Sequence, residues 1–114
     1  MPKHPAWDMH ESALLHDLCL RVERGEIPKD TAIQELSKTL RQTAGRNDDN
    51  DTYRNEAGIS WQYNYMNYLI TRPEYERGPK IFKEMARLYR EEPERYAQIL
   101  REAKLMVSKP FSIE

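Results

Sequence analysis

The sequence lacks much of what several protein classes require. One cysteine among 114 residues excludes a disulfide framework and a cysteine-based zinc finger. No apolar run approaches the ~20 residues of a transmembrane helix, so we expect no membrane contact. The first residues, Met-Pro-Lys-His-Pro, include no apolar stretch of the secretory type, so we expect a cytoplasmic location. With 18 basic and 19 acidic side chains, the chain also lacks the positive excess of a strong nucleic-acid binder.

Strand signals are missing as well. Valine occurs only as Val22 and Val107, and no stretch alternates apolar with polar residues over six positions. Apolar residues recur instead every three or four positions, which is the period of an α-helix. The pattern predicts an all-α fold.

Glycine and proline divide the chain into five predicted helices. These cover residues 8–24, 28–44, 53–71, 79–90 and 93–108. Asp8 and Glu11 have the spacing of a capping box at the first helix, and Asp51 or Thr52 is the expected cap of the third. We predict one domain over residues 1–114, a five-helix bundle. Residues 7–72 would form a trihelical, helix-turn-helix-like core, and residues 73–108 a helical hairpin extension.

The third predicted helix is apolar over most of its circumference. Its side chains form two apolar stripes and a narrow polar arc: Ile59, Tyr63, Met66 and Ile70; Trp61, Tyr65, Tyr68 and Leu69; and Ser60, Asn64, Asn67 and Thr71. A helix of this kind normally lies buried between other helices. The alternative is that the second stripe is partly exposed and meets a partner.

We find no pattern typical of an enzyme or of a cofactor site. His4, His10 and His16 do not have the spacing of metal ligands, and we predict no metal site. Cys19 has no histidine placed by the sequence to activate it, so we expect a buried structural thiol. The acidic loop over residues 46–52 fits no register of a calcium-binding EF-hand.

Glu11 falls on the apolar face of the first helix and needs a partner there. An unpaired buried carboxylate costs several kcal/mol. Arg54, at the start of the third helix, or Arg41, near the end of the second, can supply the opposite charge. A structural ion pair is a better interpretation of Glu11 than a catalytic role.

The first functional hypothesis is a DNA-binding surface. Arginine pairs with guanine and asparagine with adenine, so Arg54 and Asn55 at a helix start are suited to base recognition. The remaining candidates are Ser60, Asn64 and Asn67 as base readers, and Lys80, Lys83 and Arg87, with Arg77 on the same side, as phosphate ligands. The alternative interpretation is that Arg54 and Asn55 brace the helix start. The basic residues would then form a solvated face joined by ion pairs.

Several short strings resemble a known bacterial family. They are Trp7, Glu11 and Leu14-Leu15; then Gly25-Glu26-Ile27, Ala32-Ile33, Leu36-Ser37 and Leu40-Arg41; then Tyr53-Arg54-Asn55, Gly58-Ile59 and Gln62. Together they resemble the N-terminal helical region of HNH-type nucleases and other restriction or defence proteins. The layout is also similar to a Myb/SANT-like three-helix domain. The resemblance covers about residues 7–70. It implies a non-enzymatic DNA-targeting module, since the chain has no His-Asn-His metal signature.

The second hypothesis is a protein-interaction module. Trp61, Tyr65 and Tyr68 would form the interface of an adaptor, a homodimer or a phage-encoded inhibitor, because tyrosine and tryptophan are enriched in interface hot spots. The near-neutral charge and the seven tyrosines favour this hypothesis. A third interpretation, compatible with both, is a domain cut from a larger enzyme. Salt separates the first two, since DNA binding weakens steeply as salt rises.

Overall fold

Five α-helices form most of the regular structure in the described part of the chain. The computed structural model describes residues 5–46, 52–72, 74 and 78–108. The helices are α1 (Met9–Glu23), α2 (Lys29–Thr43), α3 (Glu56–Thr71), α4 (Lys80–Glu91) and α5 (Pro93–Ser108). The residues in these ranges form no strand, and the prediction of an all-α five-helix bundle is confirmed.

Local signals set both ends of α1. The Glu11 N–H donates to Asp8 Oδ1 over 2.8 Å, and the Asp8 N–H donates to Glu11 Oε1 over 3.2 Å. This is the predicted capping box, which satisfies two backbone donors. Beyond the last turn Gly25 adopts a left-handed φ of +76°, and its N–H donates to the carbonyl of Val22. Glycine adopts this conformation without steric cost, so the helix ends here.

Helix α3 begins later than predicted. Its cap is Asn55, whose Oδ1 accepts from the Gly58 N–H at 2.8 Å, and not Thr52; Asp51 lies outside the described residues. A Cβ at Gly58 would lie 3.1 Å from that oxygen, so glycine leaves room for the cap. Tyr53, where we placed the helix start, is instead a buried turn residue.

Helix α1 is the centre of the fold. It packs against each of the other four helices, while α3 packs against α1, α2 and α4. Its buried residues are Ser12, Ala13, Leu15, His16, Leu18 and Cys19. Cys19 is buried as predicted, and burial raises the pKa of its thiol. The first three helices pack mutually, and α4 and α5 pack against each other and against α1.

The described residues can be examined for a membrane-spanning helix and for a metal-binding cluster. None of them combines the length and the apolar character required to cross a membrane. Among the same residues, no three histidine, cysteine or acidic side chains lie close enough together to hold a metal ion.

Candidate functional site

Helix α3 has one packed face and one open face. Its packed face consists of Ile59, Tyr63, Met66 and Leu69, all buried. On the other side, Trp61 is 65% exposed and Tyr68 37%, and Tyr65 is half-buried. We call Trp61, Tyr65 and Tyr68 the aromatic face. Of the two alternatives for the second stripe, partial exposure holds for Trp61, Tyr65 and Tyr68. Leu69, which we predicted in the same stripe, is instead buried on the packed face.

Within the aromatic face, Tyr65 packs against the neighbouring chain, whereas Trp61 is largely exposed. The rings of Trp61 and Tyr65 meet edge to face, with centroids 6.4 Å apart. Tyr65 in turn lies against Gly78, where an added Cβ would come within 3.2 Å of the tyrosine Cβ. Gly78 has a φ of +99°, so both its conformation and its lack of a side chain let the chain pass Tyr65. Tyr65 is therefore held in place while Trp61 projects into solvent.

Part of the polar arc lies on the same open side. Asn64 is exposed, and its Oδ1 accepts a hydrogen bond of 3.3 Å from Lys29 Nζ. Ser60 and Asn67 are half-buried. Because Asn64 lies three residues after Trp61, this one candidate of the DNA hypothesis lies next to the aromatic face.

Arg54, which we expected to reach a base edge, points into the protein. Its side chain is only 5% exposed. Arg54 Nε lies 3.1 Å from Glu11 Oε2, and Nη2 lies 3.0 Å from Glu11 Oε1. Nη2 also donates to the carbonyl of Pro5 over 3.0 Å, and the guanidinium stacks 4.8 Å from the Trp7 ring. Of the two predicted partners of Glu11, Arg54 and Arg41, Arg54 forms the pair, which is bidentate and largely buried.

Two side chains of α2 fix the turn that carries Arg54. Ser37 Oγ donates to the carbonyl of Arg54 over 2.6 Å, and Arg41 Nη1 donates to the carbonyl of Tyr53 over 2.7 Å. Arg54 itself adopts a left-handed φ of +47°, uncommon for a residue with a side chain. The turn is thus held by α1 and α2 together. The structural interpretation of Arg54 and Asn55, as braces of the helix start, is confirmed.

The basic side of α4 borders a shallow depression of about 370 Å³. Its lining consists of Leu69, Lys80, Lys83, Glu84, Ala86, Arg87, Arg90 and Glu91. Arg87 contacts three carboxylates, those of Glu84, Glu92 and Glu91, at 2.7, 3.0 and 3.3 Å. These contacts raise the pKa of its guanidinium and occupy its donors. The ion-paired interpretation therefore holds for Arg87, while Arg77 lies outside the described residues.

Lys80, Lys83 and Arg90 differ from Arg87 in their surroundings. None of the three forms an ion pair within the part of the chain that the structure describes. They are spaced three and seven residues apart, so they share one side of α4. We call them the free cations of α4. Sequence reasoning left Arg90 out of this set, although its seven-residue spacing from Lys83 was a usable signal.

The sequence analysis did not predict that one histidine, His16, is buried. His16 Nδ1 shares a hydrogen bond of 2.9 Å with the Tyr96 hydroxyl, and the Tyr89 and Tyr96 rings lie 5.0 and 5.1 Å from its ring. Burial, with a smaller contribution from the charge of Arg90, lowers the pKa of His16 to about 4. The imidazole is therefore neutral at physiological pH and belongs to the packing of α1 against α4 and α5.

Comparisons with protein-family models, with curated proteins and with solved structures give no match. The resemblance to HNH-type nucleases and restriction or defence proteins therefore stays a prediction.

Proposed function

We propose that this protein is a non-enzymatic interaction module that binds a segment of a partner protein on the aromatic face of α3. The observation that carries the proposal is the exposure of Trp61, 65% in a helix whose opposite face is fully packed. The one cysteine is a buried free thiol, which favours a reducing, cytoplasmic location.

The energetics of the aromatic face support this function. A tryptophan buries roughly 150–250 Å² when it is fully covered. Covering the exposed two-thirds of Trp61 would therefore contribute about 3 kcal/mol at ~25 cal/mol per Å². Tyr65 is already fixed against Gly78, so a partner would order few additional side chains. These are the properties of an interface hot spot.

DNA binding, our first hypothesis, loses two of its strongest ligands. The Arg54 guanidinium is buried against Glu11, and that of Arg87 is occupied by three carboxylates. Asn55 uses its side-chain oxygen as a helix cap. Of the remaining candidates, Asn64 and Lys80 are exposed, and Ser60, Asn67 and Lys83 are half-buried. We therefore treat DNA binding as the alternative that the experiment below must distinguish from peptide binding.

A peptide-display selection tests the proposal directly. The full chain would serve as bait, and clones that also bind a Trp61→Ala variant would be removed. A matched control bait is Leu105→Ala, because Leu105 is a comparably exposed apolar residue, 62%, but lies on α5. We expect peptides that bind the wild type and the Leu105→Ala variant but not the Trp61→Ala variant.

Two results would contradict the proposal. One is a selection that enriches no Trp61-dependent peptide. The other is a DNA duplex that binds at low salt and is released by Lys80→Glu and Lys83→Glu while Trp61→Ala has no effect. Light scattering on the same samples shows whether the partner is a second copy of the chain.

A further inference from the structure

We infer that the partner segment is acidic, with carboxylates that pair with Lys80, Lys83 and Arg90 while its apolar side chains cover Trp61 and Tyr65. This inference rests on the proposed function and specifies the chemistry of the ligand. It follows from the position and the charge of the depression beside α4.

Contacts of Tyr65 connect the aromatic face to the start of α4, the helix that carries the free cations. Trp61 contacts Tyr65, and Tyr65 lies against Gly78. Two residues after Gly78, α4 begins with Lys80. On α3, Leu69 follows Tyr65 by one helical turn and lines the depression together with Lys80. A segment that covers Tyr65 therefore lies close to Lys80, the first of these cations.

The charge of this surface differs from that of the whole chain. The chain has a formal net charge of −1, yet four cations and only two carboxylates line the depression. Arg87 is the cation that those carboxylates neutralise, together with Glu92. The lining therefore has an excess of two positive charges, or one when Glu92 is counted, and its cations outside the Arg87 cluster are Lys80, Lys83 and Arg90. An amphipathic segment with acidic residues along one edge complements both this excess and the aromatic face.

The arrangement of charges favours a protein over a nucleic acid. Glu84 and Glu91 line the same depression as the free cations. A nucleic acid has a phosphate at every nucleotide, about one charge per 1.7 Å of duplex, so its backbone would also lie against these carboxylates. A protein segment can place single carboxylates opposite Lys80, Lys83 and Arg90 alone. In addition, one of the two guanidinium groups in the lining, that of Arg87, is already occupied by carboxylates.

The experiment uses synthetic probes of known composition. Two fluorescent peptides of about 18 residues, five helical turns, would share the same leucine stripe. One has glutamate at all flanking positions and the other lysine. Oligothymidylate and a mixed-sequence duplex serve as nucleic-acid probes. Binding to the full-length protein is measured by fluorescence anisotropy at low and at physiological salt. We expect the glutamate peptide to bind at least tenfold more tightly than the lysine peptide.

Matched variants show where the charge acts. Replacing Lys80, Lys83 and Arg90 together by glutamine removes the charges, and replacing them by glutamate reverses them. We expect at least a tenfold loss of affinity for the glutamate peptide with either variant. The control replaces Lys38, Arg101 and Lys104, which are exposed cations on α2 and α5, by glutamine. It changes the net charge equally and should leave the affinity unchanged. Circular dichroism verifies that each variant is folded.

The outcomes separate this inference from the proposed function. Equal binding of both peptides, lost in Trp61→Ala, overturns the acidic partner and leaves the interaction module intact. Binding of oligothymidylate or duplex but of neither peptide, dependent on Lys80 and Lys83, overturns both. If no probe binds, the acidic partner is overturned, and the Trp61-dependent peptide selection decides the proposed function by itself.

Discussion

From composition alone, α3 would be the central helix of the fold and α1 a more exposed one, but the structure shows the reverse. Four charged side chains lie along α1, at Glu11, Asp17, Arg21 and Glu23, and only Glu56 is charged in α3. Yet α1 packs against all four other helices, whereas α3 leaves an aromatic face open. The topology therefore decides which helix is central, and part of the apolar surface of α3 lies exposed.

The largest expected effect concerns the ion pair between Glu11 of α1 and Arg54 in the turn before α3. Arg54→Met should reduce the free energy of unfolding by about 3–5 kcal/mol, because Glu11 would remain as a charge without its partner. Urea denaturation monitored by circular dichroism measures this change. The double variant Arg54→Met with Glu11→Leu should be less destabilised than Arg54→Met alone.

An exposed arginine provides the control for that pair. Arg87→Met also removes a guanidinium from contact with carboxylates, but the side chain of Arg87 is 37% exposed. Water and salt screen these contacts, so the loss of stability should be far smaller than for Arg54→Met. Similar losses for the two variants would show that burial does not distinguish the Glu11–Arg54 pair.

The next prediction concerns the pH dependence of stability that results from the buried His16 of α1. The pKa of His16 is about 4 in the folded protein, against a reference value of 6.5. The unfolded chain therefore takes up a proton first, and stability falls as pH decreases from 6.5 towards 4. The full loss from this group is about 3 kcal/mol, at 1.36 kcal/mol per pKa unit. Urea midpoints measured across this range should decrease in the wild type.

A substitution assigns that pH dependence to His16. His16→Met has similar volume and no titrating group, so its midpoints should change much less between pH 6.5 and 5. Carboxylates titrate mostly below this interval and contribute equally to both proteins. An identical slope in the wild type and the variant would contradict the assignment.

A smaller effect concerns the start of α3. Asn55→Ala removes the cap that accepts from the Gly58 N–H and should cost about 1 kcal/mol. Asn64→Ala, an exposed position in the same helix, is the matched control, and alanine is the better helix former there. Thermal unfolding monitored by circular dichroism compares the two. Equal melting temperatures would show that the cap does not contribute.

The sequence predicts the helices well because their signals are local. Pro93, Gly25 and the Asp8–Glu11 box mark ends that the structure confirms. The start of α3 was wrong because α1 and α2 hold Tyr53 and Arg54 in a turn through long-range contacts. No local pattern contains those contacts.

The site was predictable only in part, for the same reason. Periodicity placed Trp61, Tyr65 and Tyr68 on one stripe but could not determine which side of α3 the other helices cover. Likewise it grouped Lys80, Lys83 and Arg87 without showing that Arg87 forms ion pairs, and it left out Arg90, which forms none with the described residues. Exposure and pairing depend on how the helices pack, which single-sequence patterns do not specify.

The smallest expected effect bears most directly on function. Trp61→Ala should change the free energy of unfolding by no more than about 0.5 kcal/mol, because a 65% exposed side chain contributes little to the core. Phe82→Ala, at a fully buried aromatic position, should cost about 3–5 kcal/mol in the same urea titration. Trp61 adds little to the core although the opposite face of α3 is packed, so we expect it to act by binding a partner. A loss for Trp61→Ala close to that for Phe82→Ala would instead place the indole in the core, and the aromatic face would no longer be a candidate interface.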